Sequence, residues 1–199
     1  DIMQDLKLTC IQADLAWEDT GKNIENFTRK IDGISEKTDV IILPEMFNTG
    51  VSINPDKIAE KPVGKAFRWL QKKADDLQCV ITGSILTDVK GKYFNRLYWM
   101  MPDGKFKTYD KRHLFRLGKE WQVFSPGTEK LIIELKGWKI LPLICYDLRF
   151  PVWSKNRYID GSYEYDFLFY IANWPVARKY AWKNLLIARA IENQAYVAG

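Results

Sequence analysis

The 199-residue sequence has little of what several kinds of site require. It contains one histidine and three cysteines, Cys10, Cys79 and Cys145, which are odd in number and far apart. That excludes a disulfide framework and leaves no credible metal site, and it points to a reducing compartment. No Gly-rich phosphate loop, internal repeat, low-complexity tract or linker is present. No apolar run approaches the ~18 residues of a membrane span, and the N-terminus lacks the basic and apolar regions of a signal peptide. The expectation is a cytoplasmic protein with no membrane role and no cofactor. Asp1 and Ile2, ahead of Met3, are set aside in reading the fold.

What is present is an ordinary globular balance, 47% hydrophobic and 28% charged, long enough for one substantial core. Eight Trp, ten Tyr and ten Phe predict a dense core, an aromatic-lined pocket or a subunit interface. The net charge of +5 is concentrated between Lys105 and Lys119, which hold six Lys/Arg against one acid. Elsewhere bases alternate with acids as on a solvated surface, and no nucleic-acid motif accompanies them, so no nucleic-acid partner is expected.

Periodicity predicts strands over 6–13, 39–45, 79–86, 93–101 and 106–109, then a hairpin of 131–135 with 138–144, and strands at 165–172 and 196–198. Helices are expected near 24–34, 63–77, 151–158 and 181–193, the last with Leu185, Leu186, Ala188 and Ile191 inward. Strands alternate with helices in one half and pair as hairpins in the other, so the class is α/β with a mixed sheet, or two sheets with helices outside.

Three polar groups stand at the ends or turns of apolar segments. Glu45 closes one strand, Lys111 follows a strand pair, and Cys145 ends the run Ile140–Ile144. A thiol at a strand-to-helix turn protrudes from the sheet, where backbone N–H groups and a helix N-terminus favour negative charge; this predicts a lowered thiol pKa. The alternative is that Cys145 is a small buried hydrophobe. In an α/β fold, ligands gather beyond the carboxyl ends of strands, so Glu45 and Cys145 can converge there. Convergence would give a general base, a nucleophile and a cation for the developing oxyanion. Taken singly, Glu45 and Lys111 also fit a buried ion pair or a helix cap.

The segments Leu-Pro-Glu-Met-Phe (43–47), Tyr-Asp-Lys-Arg-His-Leu-Phe (109–115) and Cys-Tyr-Asp-Leu-Arg-Phe-Pro (145–151) together resemble the three signatures of the nitrilase superfamily, the carbon–nitrogen hydrolases. Asn173–Arg178 and Arg189–Gln194 resemble later segments of that family, and the match runs in order along the whole chain. The resemblance implies a four-layer α-β-β-α sandwich, one domain over 1–199, a homodimer whose sandwiches stack, and a Glu45–Lys111–Cys145 triad. It further implies a second glutamate, matched by Glu120, and an oxyanion partner for Lys111 in the Tyr146 backbone N–H.

Within the family the phrases at 109–115 and 173–175 most resemble the omega-amidases. The implied substrate is a small anionic amide, 2-oxoglutaramate or 2-oxosuccinamate. Another amide, an N-carbamoyl amino acid or a nitrile remains the alternative, as does a non-catalytic interaction protein. Arg149 or Arg178 can clamp the substrate carboxylate, and for each the alternative is a structural role, pairing with Asp147 or bracing a loop. Phe47, Trp121, Tyr146 and Trp174 are expected either to shape the pocket or to pack in the core, and His113 to be structural or a pocket wall. Related chains continue beyond the position of Gly199, so the last strands of the family pattern are expected to be missing.

Overall fold

The computed structural model describes residues 3–199; Asp1 and Ile2 lie outside the described residues. The elements are β1 (Leu8–Cys10), α1 (Thr20–Asp32), β2 (Val40–Ile42), α2 (Pro55–Ile58), α3 (Lys65–Leu77), β3 (Val80–Val89), β4 (Lys92–Met100), β5 (Phe106–Asp110), α4 (Glu120–Val123), β6 (Ile133–Leu135) and β7 (Trp138–Ile144). A 3₁₀ turn, Cys145–Arg149, leads to α5 (Pro151–Ser154), β8 (Tyr158–Ile159), β9 (Ser162–Tyr163) and β10 (Phe167–Ile171). A second 3₁₀ turn, Val176–Arg178, enters α6 (Lys179–Asn193), and β11 (Tyr196–Ala198) follows. Among the described residues no helix is long and apolar enough to cross a membrane.

Two large sheets form, ordered β1-β2-β3-β4-β5 and β11-β10-β7-β6, beside a two-stranded one of β8 and β9. The first is parallel through β3 and antiparallel beyond it, and the second is parallel except for β6. Alternation along β2 explains the layering. Val40 and Ile42 point into the core between the sheets, against Ile140, Phe167 and Phe169. Ile41 and Leu43 point the other way, against Phe27 and Ile31 of α1 and Phe67 and Leu70 of α3. Both faces are buried, as an uninterrupted apolar strand requires. Trp182, Leu185 and Leu186 of α6 cover the far side of the second sheet. The result is the α-β-β-α sandwich expected from the sequence.

α1 begins at Asp19, whose carboxylate accepts the Lys22 N–H at 2.9 Å. Its buried Asn23 donates to the carbonyls of Ala16 and Asn48, tying the outer helix to the turn that follows β2. That turn carries Glu45.

Two expectations are corrected. The helix predicted over 151–158 stops at Ser154 and a small hairpin follows. Asp160 and Gly161, with φ of 51° and 84°, make the tight turn between β8 and β9 that an Asp-Gly pair favours. Asn156 fixes the exit from α5 by donating to the Tyr165 carbonyl at 2.8 Å. Ile191 does not face inward; it is 72% exposed. The inner stripe of α6 runs Trp182, Leu185, Leu186, Arg189, Asn193, so Ile191, two residues past Arg189, falls on the opposite side. Arg189 is accommodated because it donates to the Leu148 carbonyl at 2.7 Å and pairs with Glu192.

Candidate active site

Beyond Ile42 the chain leaves the first sheet through Leu43 and Pro44, and turns at Glu45. Met46 takes a left-handed φ of 44°, and its N–H donates to Ser84 Oγ at 2.8 Å, fixing the turn to β3. Glu45 is thereby held in the interior. Its Oε1 accepts Lys111 Nζ at 2.8 Å and Asn95 Nδ2 at 2.9 Å, and its Oε2 accepts the Asn173 N–H at 3.0 Å. The Asn173 side chain also donates to the Glu45 carbonyl.

Lys111 follows β5 directly. Its N–H donates to the Asn95 carbonyl at 3.0 Å and its own carbonyl accepts the Gly127 N–H at 2.9 Å. Position 127 needs glycine for space, because an added Cβ would collide with the Asp110 carbonyl. The ammonium bonds Glu45 and both oxygens of Glu120, at 3.0 and 2.9 Å. Glu120 opens α4 after Lys119, a left-handed residue, and also accepts the Phe115 N–H at 2.9 Å. Lys111 and the two carboxylates are each 1–2% exposed.

Cys145 follows β7 with φ of 45°, a left-handed conformation uncommon for a residue with a Cβ. Its Sγ lies 3.9 Å from the Asn173 carbonyl. Asn173, which receives little attention from sequence reasoning, therefore touches both Glu45 and Cys145. Asn95 was missed as well. An amide in the middle of an aromatic-rich strand was its one signal.

One cation serves two carboxylates here, and the electrostatics follow from that. Burial alone would pull the Lys111 ammonium down, but Glu45, Glu120 and the nearby sulfur more than reverse this, and its pKa stands above the ordinary lysine range. Burial, reinforced by Glu45 and opposed by Lys111, pushes Glu120 up. Burial, with the charge of Glu45, also pushes the Cys145 thiol well up, and Lys111 only partly offsets it. The lowered thiol pKa expected from the strand-to-helix turn is corrected accordingly. The turn contributes a short 3₁₀ segment whose electrostatic pull is outweighed by desolvation and a neighbouring carboxylate. Both effects favour the neutral thiol over the thiolate.

Glu45, Glu120 and Cys145 lie in a cleft of about 400 Å³ whose lining includes Phe115, Tyr146, Arg149, Trp174 and Arg178. The Arg149 guanidinium sits 5.1 Å from the centre of the Trp174 ring, and that of Arg178 sits 5.5 Å from Phe115. Neither arginine makes an ion pair among the described residues. Arg149 does not pair with Asp147, whose oxygens are taken by Tyr109, Ile144 and His113. His113 belongs to that cluster and stacks on Phe150, with centroids 3.7 Å apart. Among the described residues no group of three His, Cys, Asp or Glu side chains is arranged for a metal.

Two expected pocket residues are elsewhere. Phe47 points into the helix-facing core, edge-on to Phe27 and beside Trp69. Its ring lies so close to Gly83 that a Cβ there would meet it at 2.9 Å. Trp121 is 55% exposed, because Glu120 directs the first residue of α4 at Lys111 and its neighbour lies about 100° further round the helix. Val51, Leu117 and Gly118 line the cleft without having been singled out in the sequence.

Residues 7–199 match the carbon-nitrogen hydrolase family model. The chain belongs to the carbon-nitrogen hydrolase family. It is 44% identical over 197 residues to omega-amidase YafV of Yersinia enterocolitica, a match that covers 99% of this chain and 74% of that protein. It is 37% identical over 194 residues to a 2-oxoglutaramate amidase of Bacillus subtilis, covering 96% and 74%. A carbon-nitrogen hydrolase from Xanthomonas campestris, solved with an arsenic adduct in its active site, superposes with a TM-score of 0.95 at 43% identity, covering 98% of this chain and 75% of that one. The carbon-nitrogen hydrolase sandwich is thus the fold of this chain.

Proposed function

We propose that this carbon-nitrogen hydrolase cleaves the terminal amide of a small 2-oxo acid, 2-oxoglutaramate or 2-oxosuccinamate, through a thioester on Cys145. The observation that carries the reading is the Lys111 ammonium clamped between Glu45 and Glu120, two carboxylates that line the same cleft as Cys145. The names of the relatives, omega-amidase and 2-oxoglutaramate amidase, supply the substrate class.

Glu45 takes the proton from Cys145 Sγ as the sulfur attacks the amide carbon. The Lys111 ammonium and the Tyr146 N–H, free of an intrahelical partner in the first turn after β7, hold the oxyanion. Collapse breaks the C–N bond while Glu45 delivers its proton to the departing nitrogen, and ammonia leaves. Water then gives a proton to Glu45 and adds to the thioester carbon. The C–S bond breaks, the Glu45 proton returns to sulfur, and the carboxylic acid that forms gives up its own proton to solvent to leave the carboxylate product. Glu120 steadies Lys111 and keeps the ammonium aimed at the oxygen.

The raised thiol pKa supports proton transfer at the moment of attack over a preformed thiolate. Ammonia release from 2-oxoglutaramate tests the reading. Turnover of nitriles or N-carbamoyl amino acids alone would replace the substrate. Ammonia release by wild type equal to that of Cys145→Ala on every amide tried would favour a non-catalytic role.

Arg149 and Arg178 are cations with no carboxylate partner among the described residues on the wall of this cleft, and the reading assigns them to the substrate's far carboxylate. Replacing either by alanine is expected to raise KM for 2-oxoglutaramate by about tenfold, the scale of one charged hydrogen bond. A neutral amide of similar size should be unaffected. Equal effects on both substrates would remove the arginines from carboxylate binding.

The proposal includes a homodimer in the cytoplasm. Tyr180, Ile187 and Ile191 on the outer side of α6 are exposed apolar area for a second copy, and three free cysteines fit a reducing compartment.

A further inference from the structure

Lys111 and Cys145 stand on different sheets. Lys111 follows β5, the edge of the first, and Cys145 follows β7, inside the second. The two segments meet on one fully buried carboxylate, Asp147. Its Oδ2 accepts the Tyr109 hydroxyl at 2.7 Å and the Ile144 N–H at 3.0 Å. Its Oδ1 accepts the His113 N–H at 2.9 Å and lies 2.8 Å from His113 Nδ1.

Tyr109 and His113 bracket Lys111 by two residues on either side, and Ile144 and Asp147 bracket Cys145. The hub extends further, since Tyr109 Oη also accepts Trp153 Nε1 at 3.0 Å and the Arg112 N–H at 3.3 Å. On the other side of the turn Arg189 holds the Leu148 carbonyl.

We propose that Asp147 is a positioning residue that registers the nucleophile turn against the lysine segment across the two sheets. The proposal rests on the hydrolytic roles assigned above to Cys145 and Lys111. A left-handed φ at a residue with a Cβ persists only where its surroundings over-determine it, and the reach of Asp147 back to the Ile144 N–H supplies that constraint from within the turn. Only a carboxylate offers acceptors to all four donors. An asparagine would turn its amide nitrogen toward two of them, whichever way it faced.

The test is Asp147→Asn, with Tyr109→Phe as the milder variant that removes one donor. For folded Asp147→Asn, kcat on 2-oxoglutaramate should fall about 100-fold, the scale of a misplacement near 1 Å, while KM stays within about threefold. Alkylation of Cys145 by iodoacetamide, referenced to exposed Cys10 in the same sample, should slow about tenfold. Tyr109→Phe should move both readouts several-fold in the same direction, and decides the matter where Asp147→Asn does not fold.

A lower melting temperature with unchanged kcat and an unchanged alkylation ratio would reduce Asp147 to a stabiliser and overturn the proposal. Should wild type release no ammonia from 2-oxoglutaramate, the substrate reading fails, and the alkylation ratio still decides the role of Asp147.

Discussion

Cys145→Ala is expected to abolish ammonia release from 2-oxoglutaramate, with a loss of about 10⁴-fold or more, as when a covalent nucleophile is removed from a site whose groups act as a unit. The substitution should leave the fold intact. The side chain is small, and its Sγ makes only a long contact to the Asn173 carbonyl. The carboxylates and the ammonium keep their mutual bonds, so their charge balance survives. Binding should survive too, since Arg149, Arg178 and the aromatic wall are untouched. The check is ammonia release alongside equilibrium binding of 2-oxoglutaramate to the variant. Residual turnover near wild type would show that sulfur is not the attacking atom.

Lys111→Met is expected to reduce both activity and stability. Loss of one oxyanion donor lowers kcat by about 10²- to 10³-fold. Glu45 and Glu120 then face each other without a cation, and removing one member of a buried ion pair costs about 3–5 kcal/mol.

The pH dependence has a definite sign. Burial and Glu45 already push Glu120 up in the presence of the lysine, and without it the carboxyl is raised further. A carboxyl raised in the folded state binds more protons folded than unfolded, so stability falls as pH rises from the ordinary carboxyl range through the folded value. The melting deficit of Lys111→Met should therefore be larger at pH 8 than at pH 5. Adding Glu120→Gln should recover part of it. A deficit independent of pH would mean that the carboxylates are not forced together.

The residues alone marked three positions as unusual because charge is costly inside, and the family resemblance joined them into one site. Glu45, Lys111 and Cys145 each interrupt or close an apolar segment, and a buried ion must have partners. The four-layer sandwich was legible only through the family resemblance; the continuous apolar run of β2 by itself required no more than cover on both faces.

Directions of side chains were harder. Phe47 and Trp121 lie beside motif residues in the sequence, but one turns into the helix-facing core and the other rotates out to solvent. Asn95 and Asn173 could not be assigned to Glu45 because their partners come from 50 and 128 residues away. The thiol pKa was misjudged for a related reason. The turn after Cys145 is local and visible, whereas the desolvation and the Glu45 charge that dominate it arise only on folding. Ile191 shows the same limit in a helix, where one buried arginine resets which face is inside.

The central claim is that one sulfur, one carboxylate and one ammonium from three distant segments act at a single carbon. Rapid quenching of the enzyme during turnover of 2-oxoglutaramate, followed by peptide mass mapping, tests it most directly. The account predicts an acyl adduct on the peptide carrying Cys145, absent from Cys10 and Cys79 and absent in Cys145→Ala. Steady ammonia release with no adduct on Cys145 under conditions that trap thioesters would contradict it.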